Sequence, residues 1–217
     1  MIFRTLRMED GLSQGVITAI AEDSKGAIWL GTGMMGLNKL VGQRVTVFKH
    51  SDKDSTSLPA NNIKCLTIDS LDNLWIGFSE SGIACYSIKT NKFTTFKFSD
   101  EGGNDVSRAL ISRIIIDGTN LWAATSDFGL FHIDLETHKT SVYPIYSTQD
   151  PGELLKINDI FIDQGELWMA VDKEGLILFN REKGILRHHW MKNPSNDLSY
   201  NDSWRIIPGQ YPDIWVG

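Results

Sequence analysis

An all-β fold built from a repeated four-stranded unit is predicted by three marks that keep one register along the chain. Tryptophan recurs in near-identical apolar contexts at Trp29, Trp75, Trp122, Trp168 and Trp215, at spacings of 46, 47, 46 and 47 residues. An aspartate precedes four of them, Asp23 and Asp69 by six residues and Asp117 and Asp163 by five. A glycine follows the first four tryptophans by seven residues, at Gly36, Gly82, Gly129 and Gly175. Four short antiparallel strands in about 46 residues make the unit of a β-propeller. The sequence predicts an incomplete one: four four-stranded blades plus half of a fifth.

Each element of the repeat has a local reason. The aspartate closes the first strand and opens a turn whose backbone amides its carboxylate accepts, as in Asp23-Ser24-Lys25-Gly26. The tryptophan marks the second strand. The glycine follows a short tip, such as Met34-Met35 or Asp127-Phe128, where a hairpin needs positive φ. In the second repeat the strands fall at about Ile63–Asp69, Leu74–Phe78, Ile83–Ile88 and Lys92–Phe98. Sustained helical periodicity is missing, which excludes an α-solenoid of similar period. Blades are expected over 11–57, 58–106, 107–153 and 154–199, with a partial one over 200–217. Residues 1–10, containing Phe3-Arg4-Thr5-Leu6, read as an outer strand of the ring's last blade. The chain is thus expected to be a piece of a longer propeller.

Composition narrows the function classes. A chain of 24.4 kDa buries enough surface to fold without metal or disulfide staples. Its net charge of −6 opposes direct nucleic-acid contact, which calls for a clustered basic face. No apolar run approaches the ~18 residues of a membrane span, and Met1–Asp10 lacks the apolar core of a secretory leader. Cys65 and Cys85 form no metal-type pair and read as two buried thiols. No cofactor or metal site is expected.

The segment Glu9-Asp10-Gly11-Leu12-Ser13, then Val16 to Thr32 with Asp23, Gly26, Ile28-Trp29-Leu30-Gly31, then Gly36-Leu37, resembles the two-component regulator propeller repeat. The connectors His50 to Ile63, with Ser57-Leu58, and Asn193-Pro194 to Asp202, with Leu198, are similar to that family's linkers. Repeats three and four depart from the pattern, carrying Ala124 and Ala170 where the first two have Gly31 and Gly77. The resemblance implies a periplasmic sensor region of a hybrid two-component histidine kinase from glycan-degrading bacteria. It implies an oligosaccharide ligand, further propeller blades of the same protein as partners, and a homodimer in the full-length form. Membrane attachment and the kinase would lie in segments downstream of this chain.

Candidate chemistry divides between loops and strands. Gly31-Thr32-Gly33-Met34-Met35-Gly36 has dinucleotide-loop spacing but leads into a strand, so it reads as a hairpin turn. The five histidines show no convergent metal spacing. The repeated tryptophans read as packing between blades. Loops on a rigid scaffold are the better ligand positions. Blade tips offer Met35, Glu80, Asp127, Phe128, Lys173 and Glu174; connectors and strand starts add Asn62, Arg108, Arg113, Asn158, Tyr200 and Asp202. Of these, Arg108, Arg113, Asn62, Asn158, Asp127, Phe128, Glu174 and Tyr200 are the expected ligand contacts. The arginines lead because a planar guanidinium pairs bidentately with sulfate or uronate. Catalytic residues are not assigned. A propeller lyase resembling virginiamycin B lyase and a purely structural propeller stay open as rival classes.

Overall fold

The computed structural model describes residues 5–147, 150–180, 184–189, 205–208 and 214–216. The first sheet runs β1 (Ile17–Glu22), β2 (Ile28–Thr32), β3 (Leu37–Val41) and β4 (Arg44–Phe48). The second comprises β5 (Ile63–Ile68), β6 (Asn73–Phe78), β7 (Ile83–Ser87) and β8 (Lys92–Thr95). The third holds β9 (Ile111–Asp117), β10 (Asn120–Thr125), β11 (Leu130–Asp134) and β12 (Thr140–Tyr143). The fourth holds β13 (Ile157–Asp163), β14 (Glu166–Val171), β15 (Gly175–Asn180) and β16 (Gly184–His189). Two more strands, β17 (Ile206–Pro208) and β18 (Ile214–Val216), pair with each other. Each sheet is a meander in chain order. This is the expected fold: four four-stranded blades and half of a fifth. The outer strand expected over 1–10 falls partly outside the described residues, and Met8–Asp10 forms one 3-10 turn.

The chain divides into two compact units. One holds the first two sheets with Ser107–Ile111; the other holds Phe98–Val106 and everything from Ser112. In the first unit, Trp29 is fully buried and packs with Phe48 of its own sheet and Tyr86 of the next, ring centroids 5.8 and 5.5 Å apart. Leu58, 1% exposed, joins the same cluster, which explains the Ser-Leu of the connector: the leucine fills the space between two sheets. In the second unit Trp122 and Tyr143 meet Phe179 of the following sheet. Trp168 packs beside Ile206 of β17. Trp29, Trp122 and Trp168 therefore do pack one sheet on the next, as their fixed register suggested.

The aspartate does more than cap a turn. Asp23 accepts the amides of Lys25 and Ala27 through Oδ1 and the indole N–H of Trp29 through Oδ2, at 3.1, 2.9 and 3.0 Å. Asp69 repeats this with Leu71, Asn73 and Trp75, the indole bond being 2.9 Å. One carboxylate thus shapes the hairpin and holds the buried indole. The third and fourth sheets have the aspartate one residue closer, and the fourth closes a two-residue hairpin with Gln164 and Gly165 both at positive φ. Trp122 packs instead against a tilted His132 ring, centroids 4.4 Å apart, while His132 Nε2 bonds Asn120 Oδ1 at 2.8 Å.

Gly31 and Gly77 are set by close approach. A Cβ on Gly31 would lie 2.6 Å from Ile63 Cγ2, and one on Gly77 would lie 2.7 Å from Ile111 Cγ2. At the matching positions Ala124 and Ala170 are fully buried, so the sheets there leave room for one methyl group. Cys65 is buried and Cys85 half-buried. Burial, with the charge of Asp69 as a lesser cause, pushes the Cys85 thiol up to about 12. Thiolate is the reactive species, so alkylation of Cys85 at neutral pH is expected to run at least about a hundredfold slower in the native protein than after unfolding. Peptide mass spectrometry over time checks this, and equal rates would overturn it.

Candidate functional site

The blade tips are built by short local bonds. The Thr32 hydroxyl donates to Gly36 O and accepts Met35 N–H; that of Thr125 donates to Gly129 O and accepts Phe128 N–H. This lifts the tip side chain between threonine and glycine out of the sheet, placing Phe128 at a half-buried position. Two connectors of the second unit fold into small hairpins beside it. In the first, Ser99 pairs with Asp105, and Asp100 Oδ1 accepts the Asn104 amide at 2.8 Å. Hydrogen bonds from Asn104 hold the Asp100 carboxyl below its ordinary range. Phe98, at the base, stacks on Phe131 with centroids 4.2 Å apart.

In the second connector Tyr146 pairs with Leu154, while Ile145 and Leu155 on either side are 2% and 3% exposed and anchor the loop in the core. Tyr146 and Leu154 are thereby turned outward, 44% and 37% exposed. Phe128, Val142, Pro144, Tyr146 and Leu154 line an open cleft of about 230 Å³ whose lip carries Asp100, Glu101 and Gly102. An aromatic floor with carboxylates at the rim suits a ligand with an apolar face and hydroxyl donors at its edge.

The structure scatters the other expected contacts. Arg108 is exposed in the first unit, where its Nε donates to Glu80 O at 3.4 Å, and Asn62 is exposed with its carbonyl accepting Ser79 N–H. Arg113 belongs to the second unit and pairs with Asp159, Nε to Oδ1 3.6 Å. Asn158 is half-buried on β13, and Asp127 is exposed beside Phe128. Glu174 is 1% exposed and accepts the Ser147 hydroxyl at 2.6 Å, so it lies within the fold. Lys173 pairs with Glu153 at 3.1 Å. Tyr200 and Asp202 lie outside the described residues. Among the described residues of the expected set, only Phe128 lines the cleft. Tyr146, Leu154, Asp100 and Glu101 were not anticipated; Tyr146 and Leu154 carry a signal only once their loop is known to fold back on itself.

The two-component regulator propeller model matches residues 11–34 and 57–80. Histidine kinase P4 of Formosa agariphila is 37% identical over 57 residues, 26% of this chain and 4% of that protein. Among solved structures, the extracellular domain titled as that of hybrid two component system BT4673 from B. thetaiotaomicron aligns at TM-score 0.70 and 21% identity. The alignment covers 93% of this chain and 28% of that one. The corresponding domain titled BT3049, from the same organism, aligns at TM-score 0.61 and 20% identity over 99% of this chain and 40% of its own. The chain therefore spans well under half the length of each of these proteins.

Proposed function

The chain carries two-component regulator propeller repeats, and from that premise we infer that it is the ligand-sensing segment of a hybrid two-component system. It acts by binding rather than by chemistry, on the outer side of the membrane, and passes its state to a histidine kinase elsewhere in the full-length protein. The ligand is an oligosaccharide, and the full-length protein works as a homodimer in which ligand favours one of two arrangements. Further blades of the same protein complete the propeller.

The observation that carries the ligand class is the cleft. Sugar rings present an apolar face of C–H groups that stacks on aromatic side chains, and their hydroxyls donate to carboxylates. Phe128 and Tyr146 supply the first feature, Asp100 and Glu101 the second. The acidic lip favours an uncharged sugar at this spot, since a uronate or sulfate would face like charge. The test is a titration of the chain with neutral oligosaccharides followed by calorimetry. A saturable response is expected, with Phe128→Ala and Tyr146→Ala each weakening affinity about tenfold or more. Binding that is unaltered in both variants would remove the cleft from the reading, and silence across the panel would remove the ligand class.

A further inference from the structure

Asp159 sits on β13 with 3% of its surface exposed, a carboxylate taken almost wholly out of water. Each of its oxygens accepts one backbone amide: Oδ1 that of Ile160 at 3.0 Å, and Oδ2 that of Ile206 of β17 at 3.1 Å. Two guanidiniums flank it. Arg113 Nε on β9 is 3.6 Å from Oδ1, and Arg205 Nη1, one residue before β17, is 3.9 Å from Oδ2. Both distances fit charge attraction but exceed a hydrogen bond, so neither arginine spends an N–H donor on Asp159. Their side chains remain 46% and 68% exposed.

The three residues occupy one place in the repeat. Arg113, Asp159 and Arg205 each stand 46 residues from the next. Asp159 pairs with Ala170, two residues past its tryptophan, as Ala19 pairs with Gly31 and Cys65 with Gly77. A register position that holds small side chains in the first two repeats thus carries a charge in the following three, on β9, on β13 and just before β17. Two guanidiniums and one carboxylate leave a single positive charge, carried on side chains that water reaches.

We propose that Arg113 and Arg205, held on either side of buried Asp159, form a binding site for an oxyanion: inorganic sulfate or phosphate, or a carboxylate or sulfate ester carried by a larger ligand. Asp159 is the positioning residue. It draws the two side chains together, one from β9 and one from the residue before β17, while each of its own oxygens accepts a backbone amide. The guanidinium forks then match the paired oxygens of the anion. The site is independent of the sugar-binding cleft, because its probe is the anion itself.

Titration of the chain with sodium sulfate, phosphate and glucuronate, at constant ionic strength and followed by calorimetry, tests this. A saturable response to at least one anion is expected, and which anion binds tighter identifies its source. Arg113→Gln and Arg205→Gln are each expected to weaken that binding about tenfold, and Arg113→Lys to weaken it less, since lysine keeps the charge but loses the fork. Arg44→Gln, an exposed arginine on β4, leaves it unchanged. Circular dichroism confirms that each variant is folded. A linear, unsaturable response to all three anions overturns the proposal. So does binding that survives in both glutamine variants, which would leave the arginines as a clamp between strands.

Discussion

Replacing Trp29 by alanine is expected to lower the unfolding free energy by about 3–5 kcal/mol, the range for deleting a fully buried large aromatic. Four losses combine. The indole is 0% exposed and lies between two sheets, so its removal leaves a void lined by Phe48, Tyr86 and Leu58. Two aromatic contacts disappear with it, those with Phe48 and Tyr86, each worth roughly 0.5–1.5 kcal/mol beyond area. Asp23, 4% exposed, loses its indole donor and keeps the amides of Lys25 and Ala27, with the Lys39 ammonium beyond hydrogen-bond range, as partners for a buried charge. Lys39, whose Nζ stands 4.6 Å over the indole and 3.9 Å from Asp23 Oδ2, loses half of its seat. Trp29→Phe separates these contributions, because it keeps most of the apolar area but not the N–H. A loss of roughly 1–2 kcal/mol is expected there. Urea unfolding followed by circular dichroism measures both. If Trp29→Ala cost less than about 1 kcal/mol, the indole would not be the joint between the first two sheets.

What could be read from the sequence divides along the same physical line. Tryptophan, turn aspartate and tip glycine recur because every repeat must solve the same local problem, so their spacing disclosed strands, turns and sheet-to-sheet packing together. The six-residue offset of Asp23 and Asp69 already contained the carboxylate–indole bond, which turn chemistry alone did not suggest. At five residues, in the shorter hairpins of Asp117 and Asp163, that bond gives way to other arrangements. The binding surfaces obey no such repetition. Tyr146 and Leu154 converge on Phe128 because a connector folds into a hairpin whose neighbours Ile145 and Leu155 are drawn into the core, and that depends on packing. Glu174 occupies a tip position in the repeat yet turns inward to Ser147. Arg113, Asp159 and Arg205 are the intermediate case. Their common spacing was visible, but only the shared register of the first strands makes three charges into neighbours.

Substituting alanine for Gly82 is expected to destabilise the first unit by roughly 3 kcal/mol, and the same change at Gly42 by only about 1 kcal/mol. Both glycines have similar left-handed backbone, φ 61° and 59°. The conformational strain on an added Cβ is therefore nearly the same. They differ in surroundings. Around Gly42, in the turn between β3 and β4, an added Cβ meets nothing within 4 Å. At Gly82 it would be driven onto the Ser107 carbonyl oxygen, with the carbonyl carbon at 3.1 Å. That obstacle is backbone, and the tip cannot draw back. Gly82 N–H donates to Ala109 O at 3.3 Å, and Gly82 O accepts Phe78 N–H at 3.0 Å. Relief of the clash must break one of these bonds or shift the segment Ser107–Ile111 away from the second sheet. The difference between the two variants, about 2 kcal/mol, thus isolates the close approach from the backbone strain. Parallel urea titrations of Gly82→Ala and Gly42→Ala measure it. Equal losses would mean that positive φ alone fixes the glycine at this tip; a larger loss at Gly82 means that the glycine is also what lets the tip lie against the chain at Ser107.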